Sequence, residues 1–110
     1  MLGELCKDAK TLQEGSDCME QAAITAKREF NRYFAKLTES IKDEKAKTEL
    51  RVAQDRFSEY RDKSCSAAFD FYGSGVMRAV MEFVCEIQLT RSRMKDLDII
   101  YHSTDKPDAK

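Results

Sequence analysis

Four cysteines, Cys6, Cys18, Cys65 and Cys85, are the residues of this 110-residue chain whose type and spacing could do chemistry. A zinc site brings its ligands in close pairs such as C-x₂₋₄-C, and no such pair occurs. An even number of cysteines scattered over about a hundred residues instead reads as two disulfides in an oxidising compartment. The sole histidine, His102, stands beside a polar tail, so neither a Ser-His nor a Cys-His pair is well placed. There is no phosphate-binding glycine loop, no H-E-x-x-H and no calcium loop. The carboxylates alternate with Lys and Arg at helical spacing, as on a solvated face carrying i,i+4 pairs, and no two of them fall on an apolar stripe. The expectation is a binding protein, not an enzyme, with no cofactor and no metal.

Those cysteines must be held by helices. Charged residues make up 35% of the chain and apolar ones 42%, the balance of amphipathic helices with wet outer faces. Thr11-Leu12-Gln13-Glu14 reads as a capping box, and apolar residues then recur at Leu12, Gly15, Met19, Ala22, Ala26, Phe30, Tyr33, Leu37 and Ile41. That is one stripe of a helix of roughly 45 Å. Gly15 and Ser16 weaken its first turn, so a start at a Ser16 cap is the alternative. Lys42-Asp43-Glu44-Lys45 interrupts the stripe and suits a tight turn. A second stripe (Ala46, Leu50, Ala53, Phe57, Tyr60) runs to Cys65, and a third holds Val76, Val80, Phe83, Val84, Ile87, Met94 and Leu97. The predicted fold is all-α: a single domain over 1–110 forming a three-helix antiparallel bundle with an N-terminal arm, stapled by two disulfides. Its core spans about 6–100, with a frayed tail at 102–110.

In an up-down-up bundle Cys18, near the start of the first helix, and Cys65, near the end of the second, stand at one height. Cys85 lies roughly 15 Å along the third helix. A Cys65–Cys85 bridge would then be out of register, and the arm before Thr11 can reach Cys85, so the expected pairs are Cys6–Cys85 and Cys18–Cys65. Arg93, close to the third stripe, is expected to pair with Glu29 of the first helix.

The one segment with two glycines is Phe69-Asp70-Phe71-Tyr72-Gly73-Ser74-Gly75. It has two readings. The aromatics could cap the open end of the bundle. Alternatively the segment is an exposed partner-binding loop of Phe69, Asp70, Phe71, Tyr72, Gly73 and Ser74, preorganised by a disulfide at its base.

The order of Thr11-Leu-Gln-Glu14, Cys18, Glu29-Phe-Asn-Arg-Tyr33, Leu50-Arg-Val-Ala-Gln54, Tyr60-Arg-Asp62, Cys65, a glycine loop, Cys85 and Leu89-Thr90-x-x-Arg93-x-x-x-Leu97 resembles the LprI-like lysozyme-inhibitor family, over about Cys6 to Leu97. Phe57 stands where that family usually has Trp. The resemblance implies a secreted or periplasmic helical module with lysozyme inhibition attached to some members, and the disulfide reading implies that a signal peptide has been removed. The expected partner is a protein, a lysozyme or another cell-wall hydrolase. With a net charge of −1 nothing suggests nucleic acid, and no apolar run is long enough to span a membrane. Rival readings are an immunity protein against a periplasmic cell-wall toxin and a self-associating envelope scaffold.

Overall fold

A computed structural model describes residues 6–102 and shows three helices: α1 (Leu12–Ser40), α2 (Glu44–Phe71) and α3 (Val76–His102). The tail residues 103–110 lie outside the described range. α1 begins at the Thr11 cap and not at Ser16. The Glu14 N–H donates to Thr11 Oγ1 at 3.0 Å, while Glu14 Oε1 accepts from the Lys10 N–H at 2.7 Å. One left-over donor of the first turn and one of the entering chain are thereby satisfied, which holds the helix start despite Gly15. At the far end, Asp43 caps α2 by accepting from the Ala46 N–H at 3.2 Å, so three residues reverse the chain. α2 ends where Gly73 adopts φ 78°, a left-handed backbone that glycine reaches without Cβ strain.

α3 lies between the other two, packing against α1 on one side and α2 on the other. The described chain is a slab of 52 × 26 × 16 Å. One core cluster joins Met19, Ala23 and Ala26 of α1 to Ile87 of α3. The second is built from all three helices: Phe30 and Leu37, Leu50, and Leu97. Full burial of each of these large side chains contributes roughly 2 kcal/mol. α2 contributes little beyond Leu50, since its other buried residues are Gln54 and Cys65. Its predicted stripe positions Ala53 and Tyr60 face solvent.

The disulfides pair differently from the expectation. Cys6 bonds Cys18 and Cys65 bonds Cys85, with Cα–Cα distances of 5.9 and 5.4 Å. The expected Cys6–Cys85 and Cys18–Cys65 bridges rested on ending the second helix near Cys65, whereas α2 continues to Phe71. Folding α2 onto α3 about the short connection 72–75 brings Cys65 within about one turn of Cys85, so the two are in register after all. Cys6 is in turn consumed locally. A tight turn in which the Ala9 N–H donates to the Cys6 carbonyl at 3.1 Å folds the arm back along the first turns of α1.

Candidate functional site

The loop at the α2–α3 end divides into a buried root and an exposed tip. Phe69 and Asp70 are still in the last turn of α2. Phe69 is half-buried beneath the Arg78 guanidinium, whose carbon lies 3.8 Å from the ring centroid. Asp70 is exposed and faces Arg78 Nη2 at 3.8 Å. Phe71 then turns outward with 80% of its surface exposed, and Tyr72 with 42%. Their rings meet edge to face at 5.0 Å, so the tip presents one joined aromatic surface. Capping of the bundle end therefore describes Phe69 alone. Gly73 and Gly75, at φ 78° and 84°, bend the chain, and the Ser74 N–H closes on the Tyr72 carbonyl at 2.9 Å.

Sequence reasoning brought Phe69 to Ser74 together but missed their neighbours. Met77, 47% exposed in the first turn of α3, and Leu12, 67% exposed at the start of α1, lie at the same end of the bundle because α1 and α3 run parallel. Met77 falls outside the apolar stripe of its helix, and that was the available signal. The loop is held at its base by Cys65–Cys85, not by Cys18.

The expected Arg93–Glu29 pair does not form. Arg93 turns toward α2, where its Nε–H donates to Gln54 Oε1 at 2.9 Å and its guanidinium stands 5.3 Å from the Phe57 ring centroid. Arg61 approaches the same ring at 6.0 Å. Glu29 is exposed and lines a groove of about 300 Å³ between α1 and α3, together with Gln21 and Arg91. Residues 91 and 93 are about 200° apart around a helix, so only Arg91 can face Glu29. α1 and α3 are tied elsewhere, by Lys27 Nζ and Glu86 Oε1 at 3.0 Å, and by the Tyr33 hydroxyl against Asp98 at 3.5 Å. Burial first, then the Asp98 charge, pushes the Tyr33 phenol above its ordinary value and keeps it a donor.

The chain is thus a small helical module with internal polar bonding and an exposed apolar tip on a loop closed beneath by a disulfide. A family model described as lysozyme inhibitor LprI matches residues 6–97, and the chain belongs to that family. No curated protein and no solved structure matches it. The family is one of inhibitors, and two disulfides agree with the cell exterior or periplasm as its setting. Among the described residues no helix is long and apolar enough to cross a membrane.

Proposed function

We propose that this protein is a periplasmic or secreted inhibitor that blocks a lysozyme, or a related peptidoglycan-degrading enzyme, with the tip formed by Phe71, Tyr72, Gly73 and Ser74. The observation that carries this reading is the exposure of Phe71 and Tyr72 on a loop closed beneath by a disulfide. Several residues of the family-like motifs elsewhere serve internal structure. Phe30, Leu50 and Leu97 are core, Thr90 is buried, Gln54 and Arg93 bond each other, and Arg61 stands over Phe57. Two aromatic rings held in place lose little freedom on binding, which is what lets a small contact be tight. Met77 and Leu12 widen the apolar end, and Asp70 offers a charge to a basic partner.

The test is residual cell-wall lysis by c-type, g-type and i-type lysozymes, each mixed with the oxidised protein. Stoichiometric inhibition of one class, lost in Phe71→Ala/Tyr72→Ala with helicity intact, supports the reading. Inhibition that survives this double substitution removes the loop from the contact. Inhibition of no class shifts the function to an immunity protein or an envelope scaffold.

A further inference from the structure

We infer that Arg78 is the positioning residue of the loop, fastening the end of α2 to the first turn of α3 and so setting how Phe71 and Tyr72 are presented; its bearing on inhibition rests on the contact role proposed above. Arg78 crosses the loop at its root. Its guanidinium carbon stands 3.8 Å from the Phe69 ring centroid and its Nη2 reaches Asp70 at 3.8 Å, touching two consecutive residues of α2 from a helix that starts only two residues earlier. Its Nε is buried and has no hydrogen-bond partner. An orphaned donor is a standing cost, so the stacking geometry and not hydrogen bonding holds the guanidinium there. Cys65–Cys85 clamps the same two helices deeper in the bundle. With both fastenings in place, only the segment 71–77 is left to arch over the end. Without Arg78, the two positive-φ glycines at its centre would let the aromatic pair sample many orientations, an entropy to be lost again on binding.

Lysine cannot replace this arginine, because an ammonium offers no plane to lie on the Phe69 ring. The test is backbone amide exchange of the oxidised full chain, run beside titration of whichever lysozyme class the wild type inhibits. In Arg78→Ala and Arg78→Lys the amides of Tyr72, Gly73 and Ser74, each hydrogen-bonded to a backbone carbonyl, should exchange about threefold to thirtyfold faster, the range a lost cation–π contact allows. Core amides at Ile87 and Leu97 should not change, whereas a general loss of stability would accelerate both sets. Phe69→Leu should reproduce the effect with the arginine still present, and Asp70→Asn should scarcely show it, because an exposed pair at this distance is worth little. Inhibition by Arg78→Ala should weaken by a factor in the same range although Phe71 and Tyr72 remain. Unchanged loop exchange in both Arg78→Ala and Phe69→Leu overturns the inference whatever happens to inhibition. Faster loop exchange with full inhibition overturns it too, provided Phe71→Ala/Tyr72→Ala abolishes inhibition. Faster exchange with no inhibitory role for either aromatic leaves the latch standing and removes the contact role proposed for the tip.

Discussion

Replacing Arg93 by methionine should be among the more damaging single changes outside the apolar core, and the structure says how damaging. The Nε–H of Arg93 is the donor found for Gln54 Oε1, at 2.9 Å, and Gln54 is only 9% exposed. A hydrogen bond to a charged group contributes about 1.5–3 kcal/mol. The guanidinium also loses its position 5.3 Å from the Phe57 ring, worth about 0.5–2 kcal/mol. Against this, Arg93 Nη2 is buried without a partner, and removing it relieves a cost of about 1 kcal/mol or more. The net expectation for Arg93→Met is a loss of about 2–3 kcal/mol, a drop of roughly 10 °C or more in Tm for a domain of this size. Gln54→Leu should cost nearly as much, because it strands a buried guanidinium donor. Together the two changes should come back to within about 1 kcal/mol of the wild type, since two apolar groups of similar volume leave nothing unsatisfied. Urea unfolding of the four oxidised proteins, with a common m-value, measures the coupling directly. A coupling below about 0.5 kcal/mol, with the single losses simply adding, would refute the claim that Arg93 and Gln54 form one buried unit.

Peptide mapping under non-reducing conditions should recover Cys6 with Cys18 and Cys65 with Cys85; a Cys18–Cys65 peptide would sink the α2–α3 register. Closing loops of 12 and 20 residues contributes about 3 kcal/mol each by the chain-entropy model, so Cys6→Ala/Cys18→Ala and Cys65→Ala/Cys85→Ala should each lower urea stability by that order, the second by more because Cys65 is fully buried. Phe71→Ala and Tyr72→Ala should each leave stability within about 0.5 kcal/mol, as expected of exposed tips; a larger loss by urea titration would show that the rings do structural work. Burial, then the neighbouring Glu86, raises the Glu82 carboxyl above its ordinary value of 4.5, with Lys27 opposing and Asp70 adding to the rise. The folded state thus keeps this proton longer than the unfolded chain does, so stability falls as pH rises from the ordinary value through the raised one, and the penalty persists at neutrality. Glu82→Gln should therefore be more stable than the wild type at pH 7 and equal to it at pH 3; equal midpoints at both pH values would contradict the raised carboxyl.

α1 was legible because most of its core-facing residues are plain hydrophobes in steps of three and four and its cap is a local motif, although Ala23 is buried off the expected stripe and Leu12, on it, is exposed. α2 was legible only in part. Its inward row runs Leu50, Gln54, Phe57, Arg61, Cys65, Ala68, and two of those six positions are polar residues that periodicity counts as outward-facing. With Gln54 and Arg61 discounted the apparent stripe rotated onto Ala53 and Tyr60, and the aromatic run after Cys65 looked like loop. Shortening α2 at Cys65 moved its end away from Cys85 and produced the wrong disulfide pairs from a sound geometric rule. The same blindness assigned Arg93 to the nearest carboxylate, since a neutral amide such as Gln54 carries no charge to suggest itself as a partner. The loop was found because glycine beside aromatics is visible in one dimension. Arg78 was not found, because a cation over a ring depends on where two helix ends meet.

The distribution of fastenings suits the contact role proposed for the tip at this end of the bundle. Where α1 turns into α2, three helices share Phe30, Leu37, Leu50 and Leu97, and altering any one of them disturbs the whole cluster. Toward the other end the apolar cluster joins α1 to α3 only, and α2 is held by a disulfide, by Arg93 against Gln54 and Phe57, and by Arg78 against Phe69. These are point attachments at defined residues, and the segment 71–77 beyond them is not required for any core contact. Residues at 71, 72 and 74 can therefore change with little effect on folding, while the backbone that carries them stays closed. The inhibitory role proposed for the tip, matching the contour of one enzyme, requires that separation between the parts that fold and the parts that touch.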